Sequence, residues 1–375
     1  VTEIAETYGD ERRTAVEYGN AEFNEADLVR EEQVVISLTQ RGYIKRVPAR
    51  LYRAQRRGGK GVIGMQTKED DVLLDVFASS SLDTLLFFSD KGKVYSEKAY
   101  ALPETGRSNR GTLIHSVLNL EYDEHITAIQ PVSDFDMEDH YFILATRQGR
   151  IKRVNLEEFE AVRPSGLIAM SLQDDDSVGW VKHTDGSQDI ILVTQFGQGI
   201  RFQEGDVRVM GRPAGGVNAI KLQDGDIVMG MDVINPEEHT HILVVTANGY
   251  GKRTKIEQYS RQGRYGLGAQ TLKNTPKTGD LVAMRAIKAT DGIMLISRKG
   301  IVIRTDLESI RESNRATQGV KIMNLSKSDE VVGIAIIQED DDEDEILLDE
   351  DGNPIEIEQD EDTDDAEVVA VEDEE

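Results

Sequence analysis

The sequence predicts an all-β fold: a propeller-like array of six four-stranded blades, closed or spiral, followed by a disordered acidic C-terminal tail. Three observations predict it. An apolar, β-branched run followed by Ser or Thr, two residues and Gly recurs six times. A second glycine follows each copy at a nearly fixed offset. Helical periodicity is hardly visible between residues 33 and 338, where short apolar or alternating runs lie between glycine turns.

The copies read VVISLTQRG ending at Gly42, LLFFSDKG at Gly92, FILATRQG at Gly149, IILVTQFG at Gly197, ILVVTANG at Gly249 and IMLISRKG at Gly300. Their intervals are 50, 57, 48, 52 and 51 residues. The second glycines are Gly61, Gly111, Gly166, Gly216, Gly268 and Gly319, at an offset of 19 in five copies and 17 in the third. A period of this length marks stacked units that bury their faces on one another.

In the first copy, residues 34–39 and 43–48 read as a hairpin around a glycine turn. Residues 61–67 (GVIGMQT) and 72–78 (VLLDVFA) supply two more strands. Asn248-Gly249 is a strong hairpin turn, and the Lys-Gly and Gln-Gly versions use glycine for its positive φ. Blades set around an axis limit exposed sheet edges.

The flanks differ from the array. Residues 1–32 are polar and mixed, and read as a short helix or a linker from an upstream domain; a start at Val1 rather than Met reads as a fragment of a longer protein. The other flank is dominated by acids: 339–375 hold 22 Asp and Glu, no Lys or Arg and no aromatic residue, so disorder is expected there. Two apolar islands, Ile346-Leu347-Leu348 and Val368-Val369-Ala370-Val371, are candidate docking points within that tail. The domain division is 1–32, 33–338 and 339–375.

The formal charge of −27 conceals a segregated pattern. Residues 1–32 are net −7 and 339–375 net −22, which leaves +2 for 33–338. Residues 33–68 carry nine Lys and Arg and no acid, an electrostatic footprint hidden by the whole-chain balance.

Several chemistries are excluded. Without cysteine there is no disulfide scaffold, thiolate zinc site or cysteine nucleophile, and the composition suits a reducing cytosol. No apolar run approaches the ~20 residues of a membrane helix, and no signal peptide opens the chain. Gly59-Lys60 lacks the remainder of a phosphate loop, and neither Gly197-Gln198-Gly199 nor Gly266-Leu267-Gly268 completes GxGxxG. His239 and His241 alternate at the head of a strand, outside any HExxH pattern, and Asp351-Gly352 misses EF-hand spacing. No catalytic residue, metal site or cofactor is predicted for this chain.

What recurs is positive charge. Arg57, Arg107, Arg212, Arg264 and Arg315 lie four residues before the second glycine, and Arg163 three before it in the shortened copy. A second basic set follows the first glycine: Lys45, Arg46, Lys93, Lys152, Arg153, Arg201, Lys252, Arg253 and Arg304. If the blades are alike, matched positions share one radius and height and form a basic rim for phosphates, as opposed to an ordinary solvated face. The first copy is richest: Gln55, Arg56, Arg57, Gly58, Gly59, Lys60 and Gly61 form a cationic glycine turn, widened by Arg50 and Arg53. Glycines there admit close approach of backbone N–H groups to phosphate.

This heptapeptide, QRRGGKG, between VPARLY and GVIGM, closely resembles the GyrA box of the bacterial DNA gyrase A (GyrA) family. The six repeats, the VVISLTQRGYIKR opening, the acidic tail and DERRT at 10–14 are similar to that family's C-terminal region. The resemblance covers roughly 33–338. It implies a six-bladed β-pinwheel whose neighbouring blades exchange strands and whose basic perimeter wraps duplex DNA, enabling ATP-dependent negative supercoiling by the topoisomerase holoenzyme. It further implies a non-catalytic domain, monomeric in isolation, that works with the upstream breakage-rejoining core of gyrase A and with gyrase B. The resulting A2B2 enzyme would be bacterial, cytoplasmic and nucleoid-associated. ATP and Mg2+ would be used elsewhere, and Tyr43 and Tyr52 would pack or flank the rim. The shortened third copy makes phosphate contact there less secure. Two alternatives remain open at this point: the related C-terminal domain of topoisomerase IV, and a protein-interaction propeller. Kelch or WD repeats would need recurrent tryptophans, and Trp180 is the only one.

Overall fold

The computed structural model describes residues 28–51, 71, 73–106, 109–163, 165–288, 292–299, 301–326 and 328–337. The cationic turn Gln55–Gly61, with Arg53, Tyr52 and Arg107, lies outside the described residues, as do the acidic tail and the segment before residue 28. The chain divides into one unit over Val1–Ile337 and a second over Gln338–Glu375. All regular structure described belongs to the first. It consists of β-strands joined by turns and short 3-10 segments, with no α-helix among the described residues.

Six antiparallel sheets follow one another along the chain. Blade 1 contains β1 (Gln33–Thr39), β2 (Tyr43–Pro48) and β3 (Leu73–Ser80). Blade 2 contains β4 (Thr84–Ser89), β5 (Lys93–Lys98) and β7 (Ile126–Val132). Blade 3 contains β8 (Tyr141–Thr146), β9 (Arg150–Asn155) and β11 (Val178–Thr184). Blade 4 contains β12 (Asp189–Thr194), β13 (Gln198–Gln203) and β15 (Val228–Ile234). Blade 5 contains β16 (His241–Thr246), β17 (Tyr250–Lys255) and β19 (Leu281–Ile287), and blade 6 contains β20 (Gly292–Ser297), β21 (Val302–Asp306) and β23 (Val331–Ile337). The first-copy hairpin is found where its pattern placed it, and the strand expected over 72–78 is described over 73–80.

The fourth strand of a blade comes from the next repeat. The short strands β6 (Thr112–Leu113), β10 (Leu167–Ile168), β14 (Val217–Asn218), β18 (Ala269–Gln270) and β22 (Val320–Lys321) follow the second glycines of copies two to six. Each pairs backwards: β6 with β2, β10 with β5, β14 with β9, β18 with β13 and β22 with β17. The register is the same every time, so that Tyr43 faces Leu113 and Tyr250 faces Lys321. A four-stranded blade is therefore not one contiguous repeat. Strand exchange, which the family resemblance implied, is the rule in blades 1 to 5.

The sequence motif has a local cause in every copy. The Ser or Thr hydroxyl three residues before the first glycine accepts the N–H four residues after it. The six pairs are Thr39 with Tyr43, Ser89 with Lys93, Thr146 with Arg150, Thr194 with Gln198, Thr246 with Tyr250 and Ser297 with Ile301, at 3.0–3.3 Å. This bond closes the hairpin turn and satisfies a donor that the ladder leaves over.

The apolar runs are buried on both faces because each blade is packed between two others. Alternate residues of β8 divide accordingly. Phe142 and Leu144 join Leu86 and Phe88 of blade 2, while Ile143 and Ala145 join Ile190 and Leu192 of blade 4. Phe88, Phe142 and Phe159 meet edge to face with centroids 5.3–5.6 Å apart. Full burial of such a side chain contributes roughly 1.5–3 kcal/mol.

The third strand of each repeat lies on the inside. β3, β7, β11, β15, β19 and β23 each lie against the next, and β23 lies against β3, so the array returns on itself. Charges on these inner strands meet near the axis. Lys182 is 3.2 Å from Asp232. Burial raises the Asp75 carboxyl above its ordinary range, and the charges of Arg285 and Lys182 act against that rise.

Candidate nucleic-acid interface

With the third strand innermost and the exchanged strand outermost, the described residues before the second glycines of repeats two to six lie on the perimeter. This placement follows from close packing at the glycine itself. Gly111 has φ +87°, and a Cβ there would meet the Ile44 carbonyl oxygen of blade 1 at 2.4 Å. Only glycine supplies both the left-handed backbone and the clearance. Three residues further on, the chain is tied to the previous blade again: Ile114, Ala219, Thr271 and Ile322 donate to the carbonyls of Gly42, Gly149, Gly197 and Gly249 at 2.7–2.8 Å.

The loop arginines fall on this perimeter with unequal freedom. Arg163 is exposed on the shortened loop. Arg212 is half-buried, its Nε 3.6 Å from Glu158. Arg264 donates to the carbonyls of Asp206 at 3.0 Å and Asn218 at 2.6 Å. Arg315 lies over the Tyr259 ring, 5.8 Å from its centroid.

The basic set after the first glycine departs from the rim expectation. Lys45, Lys152 and Lys252 are fully buried. Their ammonium groups donate to carbonyls of the neighbouring repeat's loop: Lys45 to Asn109 at 2.9 Å, Lys152 to Gly211 at 3.4 Å and to Arg212, and Lys252 to Asn314 at 2.7 Å and to Arg315. Burial pushes Lys45 down to about 8 and Lys152 and Lys252 down to about 7. The adjoining arginines are tied in the same way. Arg46 pairs with Glu104 at 3.0 Å and donates to Leu102 O. Arg201 pairs with Asp189 at 2.7 Å and donates to Ile256 O and Tyr259 O. Arg253 donates to Ile310 O and Glu308 O. Arg153 lies over the Tyr141 ring, 4.6 Å from its centroid, and 4.0 Å from Glu204. These residues fasten blades 1, 3, 4 and 5 to the repeat that follows each. The reason is strand exchange, which brings a row of loop carbonyls and acids over positions that a contiguous blade would leave in solvent.

Three further members of the sets remain nearer the surface. Lys93 is half-buried and pairs with Glu121 at 2.5 Å, Arg50 is exposed and bonded to Glu32, and Arg304 is exposed on β21. Sequence reasoning missed other perimeter cations. Arg208 and Arg311 are exposed in the loops, Lys221, Lys273 and Lys321 lie at or just beyond the outer strands, and Arg110 stacks 3.9 Å over Tyr43. Their signal was proximity to the second glycine on either side of it.

The DNA gyrase C-terminal domain, beta-propeller family matches the chain over residues 33–80, 83–133, 140–182, 188–235, 240–288 and 293–338, one segment for each repeat. The DNA gyrase A protein of Staphylococcus epidermidis is 40% identical over 343 residues, covering 91% of this chain and 38% of that protein. Its counterpart in Staphylococcus aureus strain MRSA252 is 39% identical over 345 residues, covering 92% and 39%. The chain thus spans well under half the length of these relatives. Among solved structures, a C-terminal domain of DNA topoisomerase IV superposes with a TM-score of 0.70 at 27% identity, covering 83% of this chain and 94% of that one. A DNA gyrase A C-terminal domain superposes with a TM-score of 0.68 at 28% identity, covering 82% and 100%.

Proposed function

Because this chain belongs to the DNA gyrase C-terminal domain, beta-propeller family, we propose that it binds duplex DNA along the blade perimeter and wraps it. Within a DNA gyrase holoenzyme, the wrap would present a crossover for strand passage and permit ATP-dependent negative supercoiling. The fragment itself is non-catalytic in this reading, with DNA cleavage assigned to an upstream core and ATP hydrolysis to gyrase B. The cell compartment is the bacterial cytoplasm.

The observation that carries the reading is the strand exchange. Among the described residues it brings the loops of repeats three to six, with Arg163, Arg212, Arg264 and Arg315, beside the outermost strand, which supports a basic outer edge. Contacts of this kind engage phosphates and give little base readout. Bending a 20–30 bp site by 40–90° costs on the order of 1–6 kcal/mol, so phosphate binding must be spread over several blades. The two solved relatives fit the fold about equally. QRRGGKG at Gln55–Gly61 favours gyrase over topoisomerase IV, as do the names of the sequence relatives.

The test is replacement of Gln55–Gly61 by alanines in the chain, followed by a topological wrapping assay on nicked circular DNA. Wrapping should be abolished, simple binding retained in part through the other blades, and the thermal transition nearly unchanged. Normal wrapping by the folded variant would refute the role of the box.

A further inference from the structure

The geometry points to Lys45, Lys152 and Lys252 as positioning residues that shape every second perimeter loop into a phosphate-binding turn. This rests on the DNA-wrapping reading above.

The position three residues after the first glycine alternates in character along the array. It is Lys45, Lys152 and Lys252 in repeats one, three and five, and Tyr95, Ile200 and Ile303 in repeats two, four and six. Tyr95 and Ile200 are buried there as well, so an apolar or aromatic side chain fills the site without an ammonium group. Burying a lysine is costly unless its charge is hydrogen-bonded, and all three lysines use that charge in one way. Each reaches into the perimeter loop of the following repeat and donates to main-chain carbonyls: Asn109, Gly211 with Arg212, and Asn314 with Arg315. Lys252 also donates to the Thr317 hydroxyl at 3.1 Å.

The consequence lies on the other side of the peptide. In a planar trans peptide, the carbonyl of one residue and the N–H of the next point in opposite directions. A carbonyl drawn inward therefore turns the following N–H away from the lysine. The residues following the clamped Asn109, Gly211 and Asn314 are Arg110, Arg212 and Arg315, while the second carbonyls held, those of Arg212 and Arg315, precede Pro213, which has no N–H, and Ala316. The clamps at Asn109 and Gly211 thus turn the Arg110 and Arg212 N–H groups away from a buried ammonium, each beside its own arginine side chain, the elements of an anion-binding turn; at Asn314 an anion would compete with a glutamine side chain for the N–H. Of the three, the Arg315 N–H has a protein acceptor, Gln258 Oε1 at 3.3 Å.

The loops between are held differently. In the third repeat the Ser96 hydroxyl donates to Val162 O at 3.1 Å, and in the fifth Arg201 donates to Ile256 O and Tyr259 O. A wrapped duplex would meet clamped turns on alternate repeats, with weaker binding in between.

The test uses the full chain with Lys152→Met and Lys252→Met, singly and together, and Ile200→Met as the control for a changed side-chain shape at the same position. Thermal transitions, hydroxyl-radical footprints on a linear duplex and the salt dependence of affinity are measured for each. Methionine keeps the unbranched stem and removes the charge. The transition should stay level or rise, while protection facing the altered loop disappears and the log–log salt slope falls by about 0.9 for each phosphate no longer engaged. Ile200→Met should change neither. A wild-type footprint and slope in the lysine variants would overturn the proposal. So would a variant that fails to fold, or one whose stability and binding fall in parallel, because the lysines would then serve the fold alone. No footprint with the unaltered chain would instead refute DNA wrapping itself.

Discussion

Gly319 and Gly251 approach so closely that a Cβ on Gly319 would meet the Gly251 carbonyl oxygen at 2.5 Å. Gly319 belongs to the sixth repeat and Gly251 to β17 of blade 5. The same approach recurs where Gly268 meets the Gly199 carbonyl at 2.5 Å and Gly216 meets that of Ile151 at 2.6 Å. Gly319 also has φ +76°. Gly319→Ala should therefore destabilise the array by about 2–4 kcal/mol, since left-handed strain alone costs roughly 1–3 kcal/mol. The denaturant midpoint measures this; an unchanged midpoint would show that the close approach relaxes freely.

The turn hydroxyls make a separate prediction. Thr246 is fully buried, accepts the Tyr250 N–H at 3.3 Å and donates to Thr278 O at 2.7 Å. Thr246→Val keeps the shape, takes the hydroxyl acceptor from the Tyr250 N–H and leaves the Thr278 carbonyl with the Asn248 N–H alone. The expected loss is about 1–3 kcal/mol. Hydrogen exchange should show the 246–250 turn opening faster, while blades 1 and 2 keep their protection.

Stability should rise with pH above neutrality. Burial, the larger cause, and the neighbouring Arg212 and Arg315 bring Lys152 and Lys252 down to about 7, against an ordinary value of 10.5. Between those values the unfolded chain binds more protons than the folded one, so unfolding becomes harder as pH increases. The burial cost is full below about pH 7 and is relieved as pH climbs towards the unfolded lysine value. Burial holds Tyr259 up at about 12, which works in the opposite direction above about pH 10, where an unfolded tyrosine ionises first and favours unfolding; that window lies beyond the one tested. Urea midpoints should rise between about pH 7 and 9. The rise should be smaller in the Lys152→Met, Lys252→Met double variant, and an equal rise in both proteins would assign it to other groups.

The perimeter arginines should set the salt dependence of DNA binding. Replacing Arg163, Arg212, Arg264 and Arg315 together by glutamine should shorten the footprint and lower the slope by about 0.9 for each phosphate released. Arg264 also holds two carbonyls, so the thermal transition must be followed in parallel. A full-length footprint with an unaltered slope would place the duplex on another surface.

The sequence by itself determined the repeat and its local chemistry. Apolar runs such as FILAT and IILVT declare strands buried on both faces, and the Ser/Thr-to-glycine spacing sets a hairpin whose hydroxyl bonds depend on near neighbours alone. The second glycine was visible as a period, but its reason was not, since the atom it avoids belongs to the preceding blade. The tertiary structure decided which strand completes each blade, that β23 comes back against β3, and which cations remain available at the surface. Lys45 and Arg46 come shortly before a cationic segment in the sequence and read as rim residues, yet the loop carbonyls that hold them belong to Asn109 and Leu102 of the following repeat. A charge pattern states how many cations a segment carries. Whether an ammonium meets solvent or a neighbour's carbonyl depends on strand exchange, and that is set by packing between repeats.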